Sequence, residues 1–337
     1  MNIREIARLA GVSVATVSRV INHSPKVSEE SREKVLSVME EYHYTPNVFA
    51  QGLNTNSIKT VGILCPEISD INHAAAVSIL EAQLRAKGFD SLLCCVGGLN
   101  PAKSTCVRLL TEKRVDAIFM IGSDLDERKN YAVYKEAARQ APILVLNGFI
   151  DLPGIYNINC DDCKAIYEVC QDLEQAGSRN LLFIEDSNTY SASRKRKGYL
   201  DYIRSSGKSP DLQIAIPPQK HMEALSETRA AVSALLESGS NVDAVIATDD
   251  ILAIGAMQAL QDSGIRIPVV GYNNSEFALC CTPALSSVDN QMNIICSMAV
   301  DTMMNLADGK EAAGLVTVSA RLVERETFQK PSVHKEA

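Results

Sequence analysis

Two places in this 337-residue chain offer side chains suited to acid–base or metal chemistry: the adjacent carboxylates Asp249 and Asp250, and the run Cys160-Asp161-Asp162-Cys163. Adjacent carboxylates in an extended segment point to opposite sides, so they cannot flank one substrate atom as general acid and general base. The second run has CxxC spacing, but no second pair and no nearby His completes a zinc site. Neither G-x-S-x-G nor H-E-x-x-H occurs, and the glycine fingerprints of phosphate and dinucleotide sites are missing; "GGLNP" at 97–101 reads as a loop. The expectation is a protein that is not an enzyme, with no cofactor and no metal. The ten cysteines lie within apolar runs such as "LLCCVGG" and "FALCCTP", where a reduced thiol behaves as a small buried hydrophobe.

What remains is binding. Apolar runs at 60–66, 90–97, 115–121, 142–148, 179–185, 211–217, 242–248 and 267–272 alternate with amphipathic stretches such as "AAAVSILEAQLRAKG" and "ILAIGAMQALQDSG". Continuous apolar strands separated by helices predict parallel sheets covered on both faces. Ligands of such sheets gather beyond the carboxyl ends of the strands. Polar residues recur there: Asp70, Asn72 and His73 after the first run, Ser123 and Asp124 after the third, Asn147 after the fourth. In the second half, Asp249 with Asp250 and Asn273 with Asn274 occupy equivalent places.

The N-terminus reads differently. "NIREIARLA" predicts a helix capped by Asn2 with Glu5 completing a capping box, its inner face lined by Ile3, Ile6, Ala7 and Ala10. Gly11 then permits a tight turn and Ser13 caps a second helix. On that helix Val17, Val20 and Ile21 form an apolar stripe, while Ala15, Ser18, Arg19 and Asn22 lie opposite. A third helix begins at Ser28, with Val35, Leu36 and Met39 expected to close the small core. Two short helices joined by a glycine turn make a helix-turn-helix, whose second helix offers its first residues to the major groove. Arg19 can bond guanine bidentately, and Val14 and Ala15 offer apolar contact to a thymine methyl.

Charge is distributed to match. The chain carries 33 Lys/Arg against 41 Asp/Glu, a net of −8, yet its first 60 residues hold seven basic and six acidic groups. An acidic body repels phosphate and leaves the headpiece to make a few positioned contacts.

"IREIARLAGVSVATVSRVINHSPKVSEESREKVLSVMEEYHYTPNVFAQGL" closely resembles the headpiece of the lactose-repressor/galactose-repressor (LacI/GalR) family of bacterial transcription regulators. The resemblance continues through "TVGILCPEIS", "RVDAIFM", "QAGSRNLLFI", "VDAVIATDDILAIGAMQAL", "PVVGYNNS" and "TPALSSV". It implies an N-terminal three-helix helix-turn-helix headpiece over residues 1–46, with a hinge helix and linker over 47–59. An α/β periplasmic-binding-protein-like core of two doubly wound parallel-sheet lobes would follow. The N-terminal lobe spans 60–160 plus 290–320, and the C-terminal lobe 161–289 plus 321–330. The implied contacts to double-stranded operator DNA come from Ser13, Val14, Ala15, Thr16, Ser18, Arg19, Asn22, Asn47 and the hinge leucine, Leu53, a wedge for the minor groove.

The small-molecule effector, a sugar or related polar metabolite, would lie between the lobes, against Asn72, His73, Ser123, Asn147, Asp161, Lys195, Asp249, Asn273 and Asn290. Several of these depart from the family's habit. Aromatics are common where Asn72 and His73 stand, Arg is usual at Lys195, and Asn followed by Asp is usual at Asp249 and Asp250; the chain has no Trp at all. The implied activity is ligand-responsive repression on a pseudo-palindromic operator. A small-molecule-binding protein without a regulatory role, or an enzyme using the cleft, is the alternative.

The hinge segment "NVFAQGL" is about two turns long and contains Gly52, so it is expected to order only on DNA. The C-terminal "QKPSVHKEA" has no heptad, so the expected assembly is a homodimer joined through the Ala-rich helix at 74–87. The polar start of the chain and the lack of any run of eighteen apolar residues lead to the expectation of a cytoplasmic protein with no membrane partner.

Overall fold

The computed structural model describes residues 1–21, 24–44, 57–97, 100–122, 128–210, 212–218 and 221–331. Asn22, Asn47, Leu53 and Ser123 lie outside these, as does most of the hinge segment. The chain divides into two units, Met1–Lys59 and Thr60–Ala337.

In the first unit the cap residues define the helices. Asn2 Oδ1 accepts from Arg4 N at 3.0 Å and Glu5 N at 3.1 Å, and Glu5 Oε2 accepts from Asn2 N at 2.8 Å, so α1 (Ile3–Ala10) starts on a complete capping box. Gly11, at φ 66°, ends it in the left-handed region that suits glycine. Ser13 Oγ accepts from Thr16 N at 3.0 Å to open α2 (Val14–Ile21), and Ser28 accepts from Ser31 N at the start of α3 (Glu29–Glu41). Ile6, Ala7, Ala10, Val17, Val20 and Val35 form the buried core, flanked by Ile3, Ile21, Val38 and Met39. Leu36 corrects the sequence reading: it is 48% exposed. Val35, Val38 and Met39 follow the i, i+3, i+4 spacing of one helical face, and Leu36 stands about 100° away from Val35.

The second unit contains two six-stranded sheets. The first orders its strands β11-β5-β4-β3-β1-β2, from β1 (Thr60–Cys65), β2 (Asp90–Cys95), β3 (Ile118–Ile121), β4 (Ile143–Leu146), β5 (Ile155–Cys160) and β11 (Leu315–Val318), all pairs parallel. The second orders β12-β10-β9-β8-β6-β7, from β6 (Leu181–Glu185), β7 (Gln213–Ala215), β8 (Ala244–Ala247), β9 (Val269–Tyr272), β10 (Ser286–Asp289) and β12 (Arg321–Val323). Among the described residues the β10–β12 pair at the edge of the second sheet is the only antiparallel one.

Both faces of each sheet are covered. On β1, Val61, Ile63 and Cys65 meet α4 (Ile71–Ala86) and α12 (Met292–Ala307), while Leu64 meets α5 (Asn100–Glu112) and α6 (Tyr131–Ala138). The second sheet lies between α7 (Asp162–Gln175) with α8 (Tyr190–Ser205) on one face and α9 (His221–Glu237) with α10 (Asp250–Asp262) on the other; α11 is the short turn Phe277–Cys280. The chain passes from sheet to sheet three times: after Cys160, after Asp289 and after Val318.

The apolar runs lead to eight of these strands. β5 and β10 escape that pattern because "IYNINC" and "SSVD" carry polar residues inward. Their partners explain this. Asn157 Oδ1 accepts from Ile150 N at 2.9 Å, Ser286 Oγ donates to Phe328 O at 2.7 Å, and Ser287 Oγ donates to Asp250 Oδ1 at 2.5 Å.

Candidate effector cleft and nucleic-acid contacts

Carboxyl ends of the two sheets meet through a chain of side-chain hydrogen bonds. Asp70, the residue before α4, accepts from Asn72 N at 2.8 Å and His73 N at 3.0 Å. That cap fixes Asn72, whose Nδ2 donates to Asp249 Oδ2 in the other lobe at 3.2 Å. Asp249 in turn caps α10 by accepting from Ile251 N at 2.9 Å, and its Oδ2 also accepts from Asn273 Nδ2 at 2.7 Å. Asn290 Nδ2 completes the row by donating to Asn273 Oδ1 at 3.0 Å. Asn273 has φ 91°, a conformation that Asn tolerates better than other side chains and that turns the amide after β9. Four of the nine expected effector residues therefore form one network.

Lys195 is buried beside it. Its Nζ donates to Thr248 O at 3.0 Å and sits 3.8 Å from the centroid of the Tyr272 ring. Three other expected residues, Asn147, Asp161 and His73, make local contacts. Asn147 Oδ1 accepts from Cys160 N at 2.9 Å, tying the end of β4 to β5. Asp161 caps α7 through Lys164 N and lies 3.9 Å from Arg194. His73 Nδ1 is 3.2 Å from Glu67 O.

The neighbouring pair Asp249 and Asp250 diverges. Asp250 turns inward and accepts from Ser275 N and Ser275 Oγ at 2.7 Å each and from Ser287 Oγ at 2.5 Å. Burial, then the nearby Asp249, pushes its carboxyl up to about 7. A Cβ on Gly271 would lie 2.3 Å from Asp250 Oδ1, so glycine is what lets β9 pass this carboxylate. Asp186, directly after β6, is pushed up to about 6 by burial, with Asp249 and Asp70 adding and Lys195 opposing.

Sequence reasoning missed a second buried carboxylate. Asp162, 2% exposed, accepts from Tyr272 OH at 2.6 Å and Ser191 Oγ at 2.7 Å, and burial raises its pKa against the pull of Lys195. It stood in the CxxC run, whose spacing drew attention to the thiols. Burial pushes the Cys160 thiol up to about 12 and also raises Cys163. Among the described residues no group of three or more His, Cys, Asp or Glu side chains is placed to hold a metal. Also missed was the stack of Phe149, after β4, on Tyr190, the first residue of α8, with centroids 5.5 Å apart. It joins the lobes in a chain without Trp.

On the first unit, Ser13, just before α2, and Val14, Ala15 and Arg19 on it are exposed, with Val14 at 43%; Thr16 and Ser18 are half-buried. Ser13 Oγ and Thr16 Oγ1 are 2.9 Å apart, so these two hydroxyls present a shared polar edge.

A helix-turn-helix unit followed by two parallel-sheet lobes with polar groups at their facing ends defines a DNA-binding regulator carrying a ligand-binding domain. Residues 2–47 match the bacterial regulatory proteins of the lacI family, and residues 58–313 match the periplasmic binding proteins and sugar binding domain of the LacI family. The chain belongs to the LacI family of transcriptional regulators and is not an enzyme. It is 41% identical over 333 residues to an HTH-type transcriptional regulator of Lachnoclostridium phytofermentans, covering 97% of this chain and 99% of that one. It is 29% identical to the probable HTH-type transcriptional repressor ExuR of Bacillus subtilis, covering 97% and 96%. The lac repressor dimer bound to operator and the anti-inducer ONPF superposes with a TM-score of 0.86 at 26% identity, covering 97% of this chain and 98% of that one.

Proposed function

We propose that this regulator is a repressor that binds a pseudo-palindromic operator as a homodimer and responds to a small polar effector held between its lobes, 60–160 plus 290–320 and 161–289 plus 321–330. The observation that carries the reading is the Asn72–Asp249 bond at 3.2 Å. It joins residues fixed by helix caps in both lobes, so a ligand that inserts its own hydroxyl or amine there exchanges a lobe-to-lobe contact for contacts of its own. Such an exchange is the differential interaction a ligand needs to shift a conformational equilibrium. Asn72, Asp249, Asn273, Asn290 and Lys195 hold the ligand; His73, Ser123, Asn147 and Asp161 frame the site.

The exposed row of Ser13, Val14, Ala15 and Arg19 reads base edges, with Thr16, Ser18 and Asn22 at its border and Asn47 and Leu53 contacting DNA from the hinge. Repression and dimeric operator binding are supported by the names of relatives, ExuR and the Vibrio PurR repressors, and by the lac repressor dimer. Among the described residues no helix is long and apolar enough to cross a membrane. As a DNA-binding regulator like its relatives, the protein acts in the cytoplasm.

Selection of duplexes from a random pool by the full chain tests the reading. Recovered sites are expected to be inverted repeats whose half-site spacing fits a dimer. Recovery of single, non-repeated sites would refute dimeric binding.

A further inference from the structure

Lys195 is held by two residues that each stand immediately before a member of the cleft network. Its Nζ donates at 3.0 Å to the carbonyl of Thr248, which precedes Asp249, and lies 3.8 Å from the ring centroid of Tyr272, which precedes Asn273. The side chain is 6% exposed. Among the described residues it makes no ion pair, and the Thr248 carbonyl is its one hydrogen-bond acceptor. An ammonium group carries three donors, so this carbonyl does not use them up.

The hydroxyl end of the Tyr272 ring meets an anion. Tyr272 is fully buried, and its OH donates to Asp162 Oδ1 at 2.6 Å, while Ser191 Oγ donates to Asp162 Oδ2 at 2.7 Å. Both oxygens of this buried carboxylate therefore accept. Ser191 and Lys195 are four residues apart on one face of α8. That face meets Asp162 directly at one turn and through the Tyr272 ring at the next. Asp162 opens α7 just after the chain crosses from the first sheet, and Cys160 Sγ, at the end of β5, is 3.8 Å from the same phenol oxygen.

We infer that Tyr272 and Asp162 are positioning residues for effector binding: they balance the charge of Lys195 across the ring and hold its ammonium at the cleft with donors left for acceptor oxygens of the effector. The inference rests on the reading of this cleft as the effector site. A phenol that donates to a carboxylate gains electron density in its ring, and a cation over the ring face is attracted more strongly as a result. A direct ion pair between Asp162 and Lys195 would balance the charge equally but spend the donors. Without the carboxylate or the phenol hydroxyl, the buried ammonium loses its compensation and is driven from its place.

Ring-current shifts read the position of Lys195 with no ligand present. The full chain is made with isotopically labelled lysine, and the Lys195 Cε–Hε signal is identified by its loss in Lys195→Arg. The expected result is a signal shifted upfield by the Tyr272 ring in the parent chain, which moves back toward the other lysines in Asp162→Asn and in Tyr272→Phe, although both keep an aromatic ring there. An unmoved signal in either variant overturns the inference, and Tyr272→Phe decides the matter should Asp162→Asn not fold.

Binding is then read by calorimetry with whichever of glucose, galactose, ribose and myo-inositol raises the Tm of the parent chain. Its Kd should weaken about fivefold or more in Tyr272→Phe, and adding Tyr272→Phe to Lys195→Met should cause no further loss. The same loss from Tyr272→Phe with and without Lys195 would show that Tyr272 does not act through the lysine and would overturn the inference. A Kd unchanged in both Lys195→Met and Asn72→Ala would instead refute the cleft as the effector site. If none of the four raises the Tm, the cleft is not a site for these polyols, and the lysine signal decides whether the pair holds Lys195.

Discussion

Arg19 and Asp250 sit at the two extremes of exposure, and each makes a testable statement. Arg19 projects from α2 into solvent. If it reads a guanine bidentately, Arg19→Ala should cost about 1–3 kcal/mol at one operator position and little at the others. Affinities for a set of operator point variants check this, and equal weakening on specific and scrambled DNA would make Arg19 a phosphate contact. Asp250 is buried with a carboxyl raised to about 7. Its folded form keeps a proton that the unfolded chain releases near its ordinary value of about 4. Folding stability therefore falls as pH rises through that window, and the loss is complete above about 7. Asp186, raised to about 6, adds in the same direction. Tm should decline between pH 5 and pH 8, and Asp250→Asn should flatten that slope whatever its absolute stability; an unchanged slope would place the titration elsewhere. At this scale the sequence was legible where a side chain acts on its own backbone, as the Asn2, Ser13 and Ser28 caps do. It was not legible for Asp162, because choosing which of two neighbouring aspartates turns inward requires knowing that Tyr272, 110 positions away, supplies the donor.

Elements were legible wherever burial is complete on both faces of a strand, since such strands are apolar throughout. They were hidden where distant groups satisfy inward polar residues, as in β5 and β10. Close approach between elements leaves a weaker mark. A Cβ on Gly198 of α8 would lie 2.2 Å from Cys163 O, a backbone atom of α7 that cannot swing aside. Gly198→Ala should separate the two helices at a cost of about 1–3 kcal/mol. Gly314→Ala, with nothing within 4 Å of the added carbon, is its control and should be near neutral. Chemical unfolding of both variants reads the difference, and equal stability would show that α7 and α8 yield freely. The hinge segment "NVFAQGL", with Gly52 and Leu53, lies outside the described residues.

At the scale of the whole molecule, ligand-responsive operator binding needs two copies and a link from cleft to DNA. β2 is an edge strand, and it exposes Leu92 at 36% and Leu93 at 43% next to the Ala-rich α4. Exposed apolar side chains on an edge strand invite covering by another chain. Leu93→Arg should lower the mass seen by light scattering at micromolar concentration from dimer to monomer and weaken operator binding with it. A parent chain that is monomeric, or a variant that stays dimeric, would move the interface elsewhere. The link itself is tested most directly by one titration. Take a compound that raises the Tm of the parent chain but not of Asp249→Ala, and measure the operator Kd with and without it. Coupling between two sites typically amounts to about 1–3 kcal/mol, so the operator Kd should change about fivefold or more in the parent and not in Asp249→Ala. An operator Kd that stays constant while the compound saturates the cleft would contradict the account.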